Sequence, residues 1–336
     1  MKKLLGVLVL LVLVAGGALG FMYMRVNQPY RGWDGAEQFV EIPPGAGSVG
    51  IGDRLVDAGV IRDRSTYRTA LWMTGQARHL KAGDYRFDRA MTPFEAIDKI
   101  ARGDVYVINV TFPEGLTMME MAKIFESHQL GSAASFIKAA KDPAPIRDLD
   151  PAANDLEGYL FPETYALPRR TDAAKLVRLM VAAFTHAFTP ELRAAAAATN
   201  RTVRQMVTLA SIVEKETAKP EERPIVAAVY ANRLRIGMAL QCDPTVIYAL
   251  QRAGKYSGNL RREDLAMDSP YNTYRNPGLP PGPIANPGMA SLRSALKPTA
   301  TTYLYFVAKP DGSGRHVFSE TLEQHNAAVQ AYRSGQ

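Results

Sequence analysis

Apolar and polar positions fall into three successive patterns along the chain. Residues 4–24 form an almost unbroken apolar run of about 21 residues, long enough to cross a bilayer of roughly 30 Å as a helix. Short segments with strand and helix periodicity follow up to about residue 110, and longer helical patterns joined by proline-rich loops occupy the remainder. These patterns predict an α+β protein with a membrane anchor, a small α+β module and a larger domain that mixes helices and strands.

The small module is built from strand, turn and helix signals. Residues 40–45 (VEIPPG) read as a strand and turn, and residues 110–115 (VTFPEG) repeat the pattern about 70 positions later. A helical pattern follows each copy, at 51–55 and at 121–125, so the repeat indicates either a duplication or a chance match of common units. Between the copies, residues 83–87 alternate like a strand, and a capped helix is predicted to start at Thr92.

The second half of the chain is mostly helical until it reaches a dense loop. An alanine-rich stretch from 172 to 198 predicts helix broken near Pro190, and another helix is predicted over 223–235. Residues 269–288 hold too many prolines and glycines for a helix or a central strand. The tyrosine, asparagine and arginine side chains of this loop suit contact with sugars. An apolar strand at 303–308 and a helix from about Thr321 close the sequence.

One helix carries an acid where its pattern calls for an apolar residue. The helix is predicted to begin at Thr202 with a capping box to Gln205. Its apolar stripe, which includes Val207 and Ala210, continues onto Glu214, so this carboxyl is expected to face the interior. Partial desolvation would raise its pKa and suit it to general acid catalysis. The alternative is a structural salt bridge between Glu214 and an arginine.

Charge and composition limit the partners. The 40 Lys and Arg residues exceed the 33 Asp and Glu by 7, which is compatible with an anionic envelope polymer or membrane surface. Because no basic cluster with interleaved aromatic residues occurs, nucleic acid is not an expected partner. Cys242 is the single cysteine and the five histidines are scattered, so neither a metal site nor, without a glycine-rich phosphate loop, a nucleotide cofactor is expected.

The ends of the apolar run predict orientation. Lys2 and Lys3 precede it, which places the short N-terminus in the cytoplasm and the rest of the chain outside. Small residues at 15–18 resemble a signal-peptidase site, but the apolar run continues past them, which favours an uncleaved anchor.

Five ordered motifs together resemble one known family, the endolytic murein transglycosylases, also called MltG or YceG-like. The resemblance covers nearly the whole chain and implies three parts: an anchor at 1–28, a LysM-like module at 36–109 and a catalytic domain at 110–332. The motifs lie at 156–165 (LEGYLFPETY), 211–217 (SIVEKET), 241–246 (QCDPTV), 271–288 and 303–308 (YLYFVA).

The resemblance implies an inner-membrane enzyme whose extracytoplasmic, periplasmic domain cleaves nascent peptidoglycan strands internally. It assigns catalysis to Glu214, which would protonate the oxygen between N-acetylmuramic acid and N-acetylglucosamine and then deprotonate the muramoyl C6 hydroxyl. The product would be a 1,6-anhydro end, and a peptidoglycan synthase (a penicillin-binding protein) is the candidate partner. Because the substrate's own hydroxyl replaces water, the second carboxylate of an ordinary glycosidase becomes dispensable.

Further residues are predicted around that acid. Glu216 points to another side of the helix and is expected to form an ion pair, while Glu157 could orient the site. Two rival functions remain open at this point: a noncatalytic tethered glycan-binding protein, and a hydrolytic muramidase with a second carboxylate. The predicted substrate-binding residues, each of which could instead support a loop, are Gln241, Asp243, Tyr271, Asn272, Tyr274 and Glu163.

Overall fold

The chain begins with a long apolar helix, α1 (Lys2–Asn27). A computed structural model describes residues 2–335, without the side chains of residues 2–4, so the orientation predicted from Lys2 and Lys3 rests on side chains outside it. Within the described chain, Leu5–Asn27 is the one helix long and apolar enough to span a membrane. Its apolar side chains, such as Leu10 and Leu13, are exposed, as expected of a segment whose surroundings are lipid.

Two compact units divide the chain, and the first comprises residues up to Asn109 together with Ala166–Arg169. Strands β1 (Gln38–Ile42) and β2 (Gly83–Phe87) form an antiparallel pair in which Phe39 faces Arg86 and Ile42 faces Gly83. The inward positions of both strands join Ile51, Leu55 and Ile97 from the helices in one buried cluster. After α1, the elements of this unit are β1 (Gln38–Ile42), α2 (Ser48–Asp57), α3 (Arg64–Thr74), β2 (Gly83–Phe87) and α4 (Pro93–Arg102).

Local sequence explains where these elements start. Thr92 caps α4 through a capping box with Glu95, as predicted, and Pro93 occupies the first turn, where its missing N–H costs nothing. The strand predicted at 83–87 is β2. The observed mixture of helices and small sheets agrees with the predicted α+β class.

The second unit comprises Val110–Tyr165 and the chain from Arg170 onward. Helices α8 (Pro190–Ala198), α10 (Arg223–Arg235), α11 (Asp243–Arg252) and α12 (Met289–Leu296) pack against α9 (Val203–Glu216). Strands β5 (Tyr305–Ala308) and β6 (His316–Ser319) pair as an antiparallel hairpin near the C-terminal end of the unit. Strands β3 (Ile108–Thr111) and β4 (Thr164–Leu167) pair with each other. The remaining elements are α5 (Met118–Ser127), α6 (Ala133–Ala140), α7 (Ala173–Ala187) and α13 (Leu322–Ser334).

Helix α9 is the core element of this unit. Every residue from Met206 to Val213 is buried, so the helix is enclosed on all sides rather than along one stripe. Ser211 is accommodated because its hydroxyl donates to the Thr208 carbonyl and accepts from the Ile284 N–H. The predicted capping box between Thr202 and Gln205 is present at its start.

Candidate active site

Glu214 lies in the last turn of α9, at the point where the buried helix meets the loops of the second unit. Its side chain is 5% exposed, which confirms the inward position predicted from the apolar stripe. Oε1 accepts a hydrogen bond from Arg223 Nη2 at 2.8 Å, and Oε2 accepts one from the backbone N–H of Gly288 at 3.0 Å. Both carboxylate oxygens are therefore held by fixed donors.

These two donors come from the starts of two helices. Arg223 is the first residue of α10, and Gly288 is the N-cap of α12. Unpaired N–H groups and the helix dipole make such positions favourable for a negative charge. The arginine ion pair that the sequence left open as an alternative thus exists, and it occurs at a buried position. Glu214 is therefore both the inward-facing carboxyl that the helix pattern predicted and the partner of an arginine in a salt bridge.

A second carboxyl, Glu114, shares Arg223 with Glu214. Arg223 Nη1 lies 3.6 Å from Glu114 Oε2, and the Glu114 side chain remains 46% exposed. Partial burial raises the pKa of Glu114, the negative charge of Glu214 raises it further, and Arg223 opposes both effects. A Cβ atom at Gly288 would overlap the Glu114 carboxylate, so glycine is required for this close approach.

Asn286 joins the three loops that surround this group. Its side-chain oxygen accepts from the backbone N–H groups of Gly158 and Leu160, both at 2.9 Å. Its amide nitrogen donates to the Leu116 carbonyl and to Glu157 Oε1, at 2.9 and 3.0 Å. Asn286 is fully buried, and this set of bonds fixes the loop that delivers Gly288 to Glu214.

Glu157 anchors the opposite side of Asn286. Its carboxyl is buried; Oε1 accepts from the Met118 N–H at 2.9 Å, and Oε2 lies 3.1 Å from the hydroxyl oxygen of Tyr248. Burial raises the pKa of Glu157 to about 8, against the opposing hydrogen bonds from Met118 and Tyr248. The carboxyl is therefore mostly protonated at neutral pH, which suits a role in holding the loops.

Three of the predicted substrate-binding residues lie together at the start of α11. The Tyr274 hydroxyl donates to Asp243 Oδ1 at 2.6 Å. Asp243 is exposed at the first position of α11, and the exposed Gln241 just before it has a left-handed backbone, with φ of 49°. The Tyr274 hydroxyl and the Asp243 carboxylate therefore lie together, two residues from the exposed Gln241, and substrate binding by these three side chains stays a prediction.

The other three predicted residues have different surroundings. Tyr271 is half-buried, with its ring centroid 5.0 Å from that of Tyr248 and the Arg252 guanidinium over its face. Asn272 is fully buried, and its amide donates to the carbonyls of residues 265 and 267 within its own loop, which is the loop-support alternative. Glu163 has an exposed side chain just before β4 and is bound through its backbone carbonyl to the N–H of Phe112.

The expected ion pair of Glu216 is wrong. Its carboxyl accepts from the Tyr230 hydroxyl at 2.8 Å, and no salt bridge to a cation is formed among the residues that the structure describes. Burial raises the pKa of Glu216, and the hydrogen bond from Tyr230 opposes the rise. Helical geometry correctly predicted that Glu216 points away from Glu214. Its hydrogen-bond partner, however, is set by the packing of α10 against α9, which the local sequence does not specify.

Sequence reasoning missed Glu114, Arg223, Asn286 and Gly288 as neighbours of Glu214. Glu114 does lie in the repeated turn at 110–115, but nothing in its local pattern separates it from the exposed residues of a turn. Arg223 is nine residues after Glu214, a spacing that places it on the next helix and could have suggested it as the arginine partner.

Comparison with known proteins supplies the family. The model of the YceG-like family matches residues 40–331. The chain belongs to this family. A Bacillus subtilis relative named endolytic murein transglycosylase is 33% identical over 96% of this chain and 92% of its own length. A Streptococcus pneumoniae relative of the same name is 30% identical over 95% of this chain, which spans 63% of that longer protein.

A solved structure agrees with the family assignment. The crystal structure of a YceG-like protein from Listeria monocytogenes matches 87% of this chain and 98% of its own chain, with a TM-score of 0.59 and 34% identity. At this identity the likeness extends to sequence as well as fold.

Proposed function

We propose that this protein is an endolytic murein transglycosylase, which cleaves the bond between N-acetylmuramic acid and N-acetylglucosamine inside peptidoglycan strands. The name shared by its relatives supports the substrate and the reaction. The observation that carries the proposal is Glu214: a carboxyl 5% exposed at the end of a core helix, bound by Arg223 and the Gly288 N–H. Glu214 is the catalytic residue in this proposal.

Glu214 would act first as acid and then as base. As an acid it protonates the glycosidic oxygen while the C1–O bond breaks, and as a carboxylate it then takes the proton from the C6 hydroxyl as that oxygen bonds to C1. The 1,6-anhydro ring forms without water, and proximity favours this route because the nucleophile belongs to the bound sugar. The two hydrogen bonds seen at Glu214 match the ionised form that the second step requires.

Arg223 and Glu114 would assist the first step. When Glu214 is protonated, its attraction for the Arg223 guanidinium weakens. The guanidinium can then turn towards Glu114, whose Oε2 already lies 3.6 Å from Arg223 Nη1. In this proposal Arg223 is a positioning residue that serves whichever carboxylate is ionised. The half-exposed Glu114 keeps the positive charge balanced throughout.

Hydrolysis is the second candidate, and a specific observation favours it. A hydrolytic muramidase needs another carboxylate near the acid to activate water, and Glu114 beside Arg223 is such a group. The two reactions differ in their products, because hydrolysis leaves a reducing muramic acid end whereas transglycosylation leaves an anhydro end.

The test is digestion of un-crosslinked glycan strands by the detergent-solubilised chain, followed by mass analysis of the new ends. We expect anhydro ends from the wild type, none from Glu214→Gln, and wild-type yield from Glu191→Gln, whose exposed carboxyl lies in α8. Reducing ends that disappear in Glu114→Gln would establish the hydrolytic alternative. Intact strands with retained glycan binding would indicate a noncatalytic binding protein.

The proposed location is supported by the apolar helix α1. The helix would cross the inner membrane once, with Lys2 and Lys3 in the cytoplasm and the units after it in the periplasm. Protease added to spheroplasts should then digest the chain after residue 28. Digestion only after lysis would overturn this orientation.

We assign one function to each of the three parts predicted from the sequence. Residues 1–28 anchor the chain, the LysM-like module at 36–109 binds glycan, and residues 110–332 cleave it. A peptidoglycan synthase is the proposed partner, because an enzyme that terminates strands must act where they emerge. Absence of any synthase from in-membrane cross-links would count against this partner.

The proposed sugar contacts are Gln241, Asp243, Tyr271, Tyr274, Asn272 and Glu163. The exposed group at the start of α11 supports direct contact for the first two and Tyr274. Tyr271 offers a ring face, whereas Asn272 would act by holding the loop.

A further inference from the structure

A cavity of about 530 Å³ opens beside the first turns of α9, away from Glu214. We call it the α9 cavity. Its size falls within the range of small-ligand sites. Its polar wall contains Arg201, Arg204, Gln205 and Thr208, and its apolar wall includes Leu234 and Leu279.

Arg201 supplies an uncompensated positive charge. It is half-buried, burial lowers the pKa of its guanidinium, and within the described part of the chain no carboxylate forms a salt bridge with it. The neighbouring Arg204 differs, because its Nε donates to Asp150 at 2.8 Å and its charge is thereby balanced. A desolvated, unpaired cation is costly, and an anion bound beside Arg201 would remove that cost.

Thr208 supplies an unpartnered hydroxyl. The residue is 1% exposed, and among residues 2–335 its Oγ1 has no hydrogen-bond partner. A helical threonine ordinarily satisfies its hydroxyl on the preceding turn, whereas the buried Oγ1 of Thr208 is unpartnered and would be free to donate to a ligand in the cavity once its χ1 rotates. Thr208 is four residues after Arg204 and three after Gln205, which puts these side chains on one helix face.

The start of α9 adds to the attraction for an anion. Thr202, the N-cap residue, also lines the cavity, and the positive end of the helix dipole lies there. The Arg201 guanidinium, the Thr208 hydroxyl and the N-terminal end of α9 therefore all favour a negatively charged ligand. The leucine and proline wall favours an anion carried on a partly apolar body.

The position of the cavity limits what can reach it. Thr208 precedes Glu214 by six residues, which is about 9 Å along the helix axis and about 120° around it. The cavity thus opens on a different face of α9 from the carboxyl that would meet the scissile bond. A ligand connected to the same substrate would have to branch from the glycan.

We propose that the α9 cavity binds the terminal carboxylate of a stem peptide that branches from the glycan strand. The inference rests on the proposed function for its choice of substrate. Arg201 would pair with the carboxylate, the Thr208 hydroxyl would donate to it, and the apolar wall would contact the last peptide side chains.

Binding is measured with the full chain in detergent and a fluorescent synthetic stem peptide, in its free-acid form and with an amidated C-terminus. Loss of one charge-assisted hydrogen bond should weaken binding about tenfold. Amidation of the peptide should therefore raise the Kd of the wild type about tenfold and leave the Kd of Arg201→Ala almost unchanged. Thr208→Val should weaken binding of the free acid several-fold. Because its hydroxyl has no protein partner, this variant should fold at least as stably as the wild type.

The matched control is Arg178→Ala, which removes an exposed arginine of α7 in the same unit and should bind both peptides like the wild type. The proposal would be overturned if amidation raised the Kd equally in the wild type and in Arg201→Ala. Tighter binding of inorganic phosphate than of the free-acid peptide would also overturn it. Since the assay involves no turnover, peptide binding without strand cleavage would uphold the cavity assignment while contradicting the proposed function.

As a second readout, the wild type should cleave peptide-bearing strands with a higher kcat/KM than strands stripped of their peptides. That ratio should fall towards one in Arg201→Ala and stay at its wild-type value in Arg178→Ala. A ratio unaffected by Arg201→Ala would contradict a role for the cavity in substrate selection.

Discussion

Replacing Glu157 by glutamine should make the second unit more stable at alkaline pH. The buried carboxyl accepts hydrogen bonds on Oε1 from the Met118 N–H and the Asn286 amide, and it meets the Tyr248 hydroxyl on Oε2. Glutamine keeps the accepting oxygen and presents its NH₂ group to a tyrosine oxygen that can accept. The substitution therefore reproduces the protonated acid and removes its ability to ionise.

The magnitude follows from the raised pKa of Glu157. A folded-state pKa of about 8, against an ordinary value of 4.5, means that the folded chain holds this proton more tightly than the unfolded chain. The stabilisation is thus fully present below about pH 4.5 and is lost as the pH rises towards 8. The whole difference corresponds to roughly 5 kcal/mol, of which roughly 3 to 4 kcal/mol falls between pH 5 and pH 8.

Urea denaturation at pH 5 and pH 8 measures this difference. Both tryptophans, Trp33 and Trp72, lie in the first unit, so tryptophan fluorescence follows that unit. Ten of the 15 tyrosines lie in the second, so its unfolding is followed by tyrosine fluorescence and by the part of the circular dichroism change that does not coincide with the tryptophan signal. Glu157→Gln should match the wild type within about 1 kcal/mol at pH 5 and exceed it by several kcal/mol at pH 8. The exposed Glu323→Gln in α13 is the control and should change neither value.

Two results would refute this reasoning. If Glu157→Gln is destabilised equally at both pH values, the carboxyl is ionised in the folded chain and its charge is needed by the loops. If the two chains lose stability in parallel as the pH rises, the alkaline sensitivity arises from other groups.

Three further substitutions test the surroundings of Glu214. Arg223→Met should lower the free energy of unfolding by about 3 kcal/mol in thermal denaturation, because it leaves the buried Glu214 carboxylate without its cation, and Arg223→Lys should restore part of it. Asn286→Ala should cost about 3 to 4 kcal/mol through its four side-chain hydrogen bonds, and a loss under 1 kcal/mol would mean that the loops hold without it. Gly288→Ala should reduce strand cleavage about tenfold by displacing Glu114, at the scale of one lost charge-assisted interaction, and full activity would contradict that placement.

Local sequence predicted the elements better than their partners. The start of α9 at Thr202, the inward direction of Glu214 and the start of α4 at Thr92 all depend on residues within one or two turns of each other. Helical periodicity and side-chain capping act over that range, so the sequence contains the needed information. The short strand β6 was missed, since its four residues give too little alternation to recognise.

The contacts that complete the site join segments far apart in the chain. Gly288 is 74 residues after Glu214, and Glu114 is 100 residues before it. No local periodicity specifies which of several exposed-looking acids or glycines will meet across such separations. The orphan hydroxyl of Thr208 is likewise invisible in the sequence, where it reads as one polar residue in an amphipathic helix.

Cleavage by Glu214 is proposed to proceed without water, because the C6 hydroxyl of the muramoyl residue attacks C1 of the same sugar. The direct measurement is digestion of glycan strands in water enriched in heavy oxygen, with mass analysis of the new muramic acid ends. We predict ends that are lighter by one water molecule than a reducing end, free of heavy oxygen, and absent when Glu214→Gln replaces the wild type. Heavy oxygen incorporated at the new ends by the enzyme itself, or unlabelled anhydro ends that persist in Glu214→Gln, would contradict this mechanism.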